Sequence, residues 1–182
     1  TVLVIDGAGD DVAWGATPWQ DGFTVLEQQN TPAAVQTRFK LLHDTVRLYA
    51  LIEAQEPETG DLRLVSGNTR DHIRLWRDDS VQLQVDPGGQ GFGYFQFIVN
   101  WHGTVFDAHA EDDNRGIGTF VLRPEWNADV SAAACVDKRH WRVELSIPFA
   151  AFGLRADVPS EWGVNVCRSR YAGGVAEHSS CV

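Results

Sequence analysis

Several groups in this chain have residue types and spacings suited to chemistry, and each also has an ordinary structural use. Carboxylates gather at Asp6/Asp10/Asp11, Asp78/Asp79 and Glu111/Asp112/Asp113. Calcium takes roughly six to eight oxygen ligands, which loops can supply. None of these runs has the spacing of an EF-hand loop, and turn or cap chemistry is the common use of such aspartates. The histidines, His43, His72, His102, His109, His140 and His178, include no pair at zinc-motif spacing. No G-x-S-x-G elbow is present. Gly88-Gly89-Gln90-Gly91 lies between two strand-like runs and reads as a hairpin loop rather than a phosphate cradle. Glu144 alternates with Val143 and Leu145, so it is expected on a sheet surface or against a structural Arg. Tyr94, Arg168 and His178 are the residue types a polysaccharide lyase uses, but only face parity connects them. The three cysteines, Cys135, Cys167 and Cys181, cannot all pair within one chain. They read either as small half-buried side chains or as one disulfide with a leftover thiol.

A second kind of chemistry is carried by neutral amides. In Ser80–Val85 the apolar set is Val81, Leu83 and Val85, so a strand puts Gln82 and Gln84 together on the opposite face. In Tyr94–Asn100 the core set is Phe95, Phe97 and Val99, which leaves Tyr94, Gln96, Ile98 and Asn100 on the other face. If these two strands pair, one sheet face carries amides beside a tyrosine. Amides both donate and accept, as sugar hydroxyls do. The same arrangement also describes an ordinary solvated sheet face.

The elements that must position these groups are mostly strands. Period-two or wholly apolar runs occur at Ala34–Leu42, Leu48–Ala54, Ser80–Val85, Tyr94–Asn100, Trp141–Ile147 and Gly163–Arg168. No segment of a dozen residues carries a helical stripe, so the chain reads as all-β, a two-sheet antiparallel β-sandwich of jelly-roll type. A few short helical turns are expected, at Asp10–Trp14, near Asn68–Trp76 and at Pro148–Phe152. No internal repeat or linker divides residues 1–182, which are expected to form a single domain.

The chain has 182 residues, a net charge of -10, 43% hydrophobic and 22% charged residues, the balance of a globular protein. No apolar run approaches the roughly 20 residues of a membrane helix. The acidic balance offers no basic stripe for nucleic acid or an anionic membrane and leaves neutral ligands and cations open. The chain opens at Thr1 without a charged n-region or an apolar signal block and contains no methionine, as expected of a processed or excised segment.

Five stretches, in order along nearly the whole chain, resemble family 9 carbohydrate-binding modules and their DOMON-like relatives. Ile5-Asp6-Gly7-Ala8-Gly9-Asp10-Asp11-Val12-Ala13-Trp14 is similar to the family opening I-D-G-x-x-D-D-x-A-W. Leu48-Tyr49-Ala50-Leu51-Ile52 is similar to its first central strand, and Trp76-Arg77-Asp78-Asp79-Ser80-Val81-Gln82 to W-x-D-D-S-V-E. Trp141-Arg142-Val143-Glu144-Leu145-Ser146-Ile147-Pro148-Phe149 resembles W-x-x-E-x-x-I-P-F, and Trp162-Gly163-Val164-Asn165-Val166-Cys167-Arg168 resembles W-G-F-N-x-x-R. The resemblance implies a β-sandwich of secreted proteins, usually appended to a larger glycan-active enzyme, that binds polysaccharide chain ends or small sugars.

In such modules two tryptophans sandwich a sugar ring while polar side chains bond its hydroxyls. The resemblance puts the first at Trp76 and the strand's polar contact at Gln82, where Gln replaces the family's Glu. The second tryptophan is missing: its segment matches His178-Ser179-Ser180-Cys181. A further polar contact falls at Cys167 or Arg168. The expected sugar site is therefore Trp76, Gln82, Gln96, Arg168 and His178. If Cys167 faces that site and Cys181 stands in place of the second ring, a Cys167–Cys181 disulfide would cap it. The resemblance also implies a structural calcium, expected in the opening loop at Asp6 and Asp11. Haem held by a methionine with His or Lys, as in some relatives, is impossible here because the chain has no methionine. No cofactor besides calcium is expected.

Three functions follow as expectations. The first is a non-catalytic sugar-binding module with neighbouring domains of a parent protein as partners. The second is a module that kept the fold as a spacer and lost its ligand. The third is a lyase or hydrolase, which lacks any catalytic constellation.

Overall fold

Alternating sequence becomes paired strand through most of the chain. The computed structural model describes residues 3–28, 30–112, 119–154 and 158–181. Their strands are β1 (Thr24–Val25), β2 (Thr37–His43), β3 (Arg47–Gln55), β4 (Ser80–Pro87), β5 (Gly93–Asn100), β6 (Val105–Asp112), β7 (Phe120–Arg123), β8 (Ser131–Val136), β9 (His140–Pro148), β10 (Trp162–Arg170) and β11 (Glu177–Ser180). Among the described residues the only helices are short 3-10 turns. One sheet has the order β1-β11-β10-β4-β5-β6-β7 and the other β2-β3-β9-β8, with all neighbours antiparallel. The expected β-sandwich is the observed fold.

The core lies between the sheets. Val81, Leu83, Val85, Phe97 and Val99 from the larger sheet meet Ala50, Ile52, Val143, Leu145 and Ile147 from the smaller one, all at most 1% exposed. Each of these side chains larger than alanine adds roughly 1.5–3 kcal/mol on burial. This inward set fixes the outward set by pleat. Gln82, Gln84, Gln96 and Ile98 share the outer face of the larger sheet, with Gln84 opposite Gln96 and Gln82 opposite Ile98.

The outer face of the smaller sheet is not a free surface, which corrects the expectation for Glu144. The N-terminal segment lies across it, packing Leu3 and Trp14 on Tyr49 and Leu51. Glu144 is fully buried beneath this segment. Its Oε1 accepts the Trp14 indole N–H at 2.8 Å, and its Oε2 accepts the N–H groups of Gly7 at 2.8 Å and Asp6 at 3.1 Å. Burial pushes its carboxyl up from the ordinary value against the pull of these donors. Gly7 has φ +84, and an added Cβ would stand 2.6 Å from the Ala134 carbonyl carbon. Only glycine fits there, which is the physical reason for the Ile-Asp-Gly opening.

The opening turn also differs in detail from its expectation. The 3-10 helix runs Val12–Ala16, and Asp11 precedes it without a side-chain cap bond. The turn expected near Asn68–Trp76 is confined to Leu75–Arg77, and that at Pro148–Phe152 appears as Phe149–Phe152.

Candidate functional site

Trp76 stands on a turn that buried aspartates hold from below. Leu75, 1% exposed, plugs the turn into Ile98, Phe106 and Ala108. Asp78, sealed from solvent, accepts the N–H groups of Val65 at 2.5 Å and Ser66 at 3.0 Å, the Ser66 hydroxyl, and the Asn100 amide at 2.9 Å. Asp79 accepts N–H groups from Arg63 at 2.8 Å, Tyr171 at 2.9 Å and Ala172 at 3.3 Å. The acidic pair of the Trp-Arg-Asp-Asp-Ser-Val run is thus structural, tying two loops to the start of β4. With its neighbour Leu75 anchored, Trp76 remains 45% exposed, and the Arg77 guanidinium lies 5.0 Å from its ring centroid. Cation–π contact of this kind braces an exposed indole.

The segment leading to Trp76 is fixed by a third buried carboxylate, Asp107, which sequence reasoning missed. The Arg70 guanidinium lies 2.8 Å from Asp107 Oδ1 and 3.4 Å from Asp71, and the Ala128 N–H donates to Asp107 Oδ2 at 2.6 Å. The Asp71 N–H donates to the Val105 carbonyl at 2.9 Å. Burial, with Asp71 adding to it, pushes the Asp107 carboxyl up to about 6.

Between Trp76 and the sheet lies a groove of about 300 Å³. Its walls are His72, Ile73, Trp76, Leu122 and Pro124, and its floor is Gln82, Gln96, Ile98 and Phe106. Asn165 on β10 donates to the Gln84 Oε1 at 3.2 Å, so an amide row runs from β10 through β4 to β5. Among the described residues the side-chain amides of Gln82 and Gln96 have no protein hydrogen-bond partner. The groove therefore offers a half-exposed aromatic ring beside two amides without protein partners, Gln82 half-buried and Gln96 at 9% exposure. Three of the five residues expected to bind sugar, Trp76, Gln82 and Gln96, line it together.

Arg168 and His178 lie elsewhere. Arg168 faces Val81 in register, so its side chain enters the core side of the sheet, 1% exposed. It pairs with Glu56 at 2.9 Å and donates to the Gln55 carbonyl at 2.7 Å. The polar position that does share the Gln82 face is Cys167, its direct partner on β10. His178 on β11 is separated from β4 by β10; its Nδ1 lies 3.2 Å from Ser169 Oγ and its ring meets Tyr171 edge-on at 5.7 Å.

Of the two readings of the cysteines, the structure has the unpaired one: Cys167 and Cys181 are free thiols. The Asn165 side chain engages both, donating to Cys167 Sγ at 3.4 Å and accepting from Cys181 at 3.5 Å. Burial first, then the neighbouring Cys181, pushes the Cys167 thiol up to about 12, far from a reactive thiolate.

The opening-loop carboxylates of the expected calcium site each accept a backbone N–H. Asp11 Oδ2 accepts the Val4 N–H at 2.9 Å and Asp6 Oδ1 accepts the Ala8 N–H at 2.8 Å. No three Asp, Glu, His or Cys side chains gather as metal ligands among the described residues. Asp113, in the third acidic run, lies outside the described residues.

A larger opening of about 950 Å³ lies at one end of the sandwich, lined by Leu41, His43, Asp44, Leu48, Phe149, Pro159, Trp162 and Val164 among others. Its walls are largely apolar, and the Asp44 carboxylate is held by the N–H groups of Val46 and Arg47 and by the Tyr49 hydroxyl. It has no amide row. The groove at Trp76 is the better place for a polyhydroxylated ligand. Its walls at Leu122 and Pro124 escaped sequence reasoning because β6–β7 pairing brings that strand there, with no local motif.

The architecture recurs in solved structures. A Bacteroides uniformis protein superimposes with a TM-score of 0.67 at 15% identity over 93% of this chain and 78% of that chain. A family 9 carbohydrate-binding module of Caldicellulosiruptor kristjanssonii, in complex with glucose, gives a TM-score of 0.64 at 18% identity over 98% and 81% of the two chains. A module of the same family and organism in complex with cellotriose gives 0.61 at 18% identity over 99% and 78%. Among curated proteins none matches. At sequence level, the model of the carbohydrate family 9 binding domain-like family matches residues 5–177, from the Ile-Asp-Gly opening into β11. With that match spanning the whole sandwich and the motifs that build it, the chain belongs to the carbohydrate family 9 binding domain-like family.

Proposed function

We propose that this chain is a non-catalytic carbohydrate-binding module whose site is the groove at Trp76. The observation that carries this reading is the pairing of a 45% exposed indole with Gln82 and Gln96 in one groove. An aromatic face receives the C–H side of a pyranose while amides meet its hydroxyls. Family membership supports it, as do the glucose and cellotriose complexes of the Caldicellulosiruptor modules. The ligand is a neutral glycan, consistent with a net charge of -10 that disfavours polyanions. The module serves as an accessory to a secreted glycan-active enzyme, holding it near its substrate.

A specific observation favours a second reading, a spacer that kept the fold and lost the ligand. Cys181, not a tryptophan, stands where the resemblance puts the second stacking ring. A glycan array and affinity electrophoresis on embedded polysaccharides separate the two. Retention of wild type but not of Trp76→Ala supports binding; no retention on any glycan supports the spacer.

A further inference from the structure

We propose that Tyr94, braced by Phe120, is a second aromatic contact beside the Trp76 groove, which makes the site favour an oligosaccharide over a single sugar. This rests on the sugar-binding reading above. Tyr94 and Gln96 are two residues apart on β5 and share its outer face, roughly 6.6 Å from one another along the strand. Across the sheet, Gln96 pairs with Ala108, while Tyr94 pairs with Ala110 and Ala110 with Leu122. Both alanines are fully buried, Ala108 in the cluster that Leu75 caps. Leu122, which walls the Trp76 groove, thus stands in the same cross-strand row as Tyr94. Tyr94 therefore lies on the same sheet face as the groove, next to Gln96 along β5 and in the row of Leu122 across the sheet.

The tyrosine is also held in place. Its ring meets Phe120 at 5.4 Å between centroids and 72°, the edge-to-face geometry aromatic pairs prefer. A ring fixed before binding loses little freedom when a sugar stacks on it. Phe120 and Leu122 are 41% and 42% exposed on an edge strand whose four residues are all exposed. Apolar side chains beside an amide row suit a sugar chain, which presents C–H patches and hydroxyls in alternation.

Isothermal titration of wild type, Trp76→Ala, Tyr94→Ala and Tyr94→Phe with glucose and with cellotriose tests this. The expected result is that Tyr94→Ala weakens cellotriose binding about tenfold and leaves glucose unchanged, whereas Tyr94→Phe keeps both. Trp76→Ala weakens both sugars. If Tyr94→Ala does not fold, Tyr94→Leu, which keeps apolar bulk without a ring, takes its place. Wild-type cellotriose affinity in the ring-less variant overturns the second contact while a Trp76→Ala loss leaves the sugar site standing. Absence of binding by wild type to either probe overturns both.

Discussion

Arg168 and Glu56 form an ion pair at 2.9 Å with both side chains sealed from solvent, 1% and 0% exposed. Arg170 completes the cluster, its Nε 2.7 Å from the same Glu56 oxygen. The arginine that the motif places beside the sugar is therefore part of the frame. Removing one partner of a buried pair typically costs about 3–5 kcal/mol because the other charge is left uncompensated. Arg168→Met is expected to lower stability by about 3 kcal/mol in urea unfolding, Arg170 still holding Glu56. The folded protein's sugar affinity is expected to stay at the wild-type value. Burial alone would raise the Glu56 carboxyl, but the Arg170 hydrogen bond, the Glu58 N–H and the charges of both arginines hold it below its ordinary value. A lowered carboxyl adds stability above the unfolded value, 4.5, and that stability is lost as the pH falls through the folded one.

Asp107 has the opposite sign. Its carboxyl moves from 3.8 to about 6, so the folded state holds the proton more tightly than the unfolded chain. The stability this contributes is complete below 3.8 and is lost as the pH rises through about 6. Asp107→Asn removes the titration. Differential scanning calorimetry at several pH values is expected to show the variant gaining on wild type between pH 3.8 and about 6, with a constant difference above. A constant difference across the whole range would show that Asp107 does not titrate there.

Gln82 tests how the site differs from the family motif. Glutamate restores a charge-assisted hydrogen bond, roughly twice as strong as a neutral one. Gln82→Glu is expected to bind cellotriose several-fold more tightly at pH 7 and to lose the gain near pH 4, where the carboxyl protonates. Equal binding at pH 7 would show that Gln82 does not touch the ligand.

Face parity on β4 and β5 was legible because each strand has a clean apolar set and the two pair without a bulge, so Gln82, Gln96 and Tyr94 follow from local alternation. Arg168 was not, because one residue of register decides its side: Cys167 faces outward with Gln82 and Arg168 inward with Val81. An Arg on the core face violates the usual pattern and is tolerated only because Glu56, distant in sequence, meets it. Glu144 was assigned to the correct outer face by parity, but the covering segment, residues 3–14, is a long-range contact that alternation cannot report. Strand β8, Ser-Ala-Ala-Ala-Cys-Val, offers little contrast between its faces, and β6 carries the buried Asp107 among its inward residues.

The Trp76 indole is expected to stack on a sugar ring. Isothermal titration of wild type and Trp76→Ala with cellotriose tests it most directly, since the chain's seven tryptophans would blur a fluorescence signal. The prediction is measurable wild-type binding and a loss of about tenfold to a hundredfold in the variant, with unchanged melting temperature. Equal affinity in the two proteins, or no binding by wild type, would contradict it.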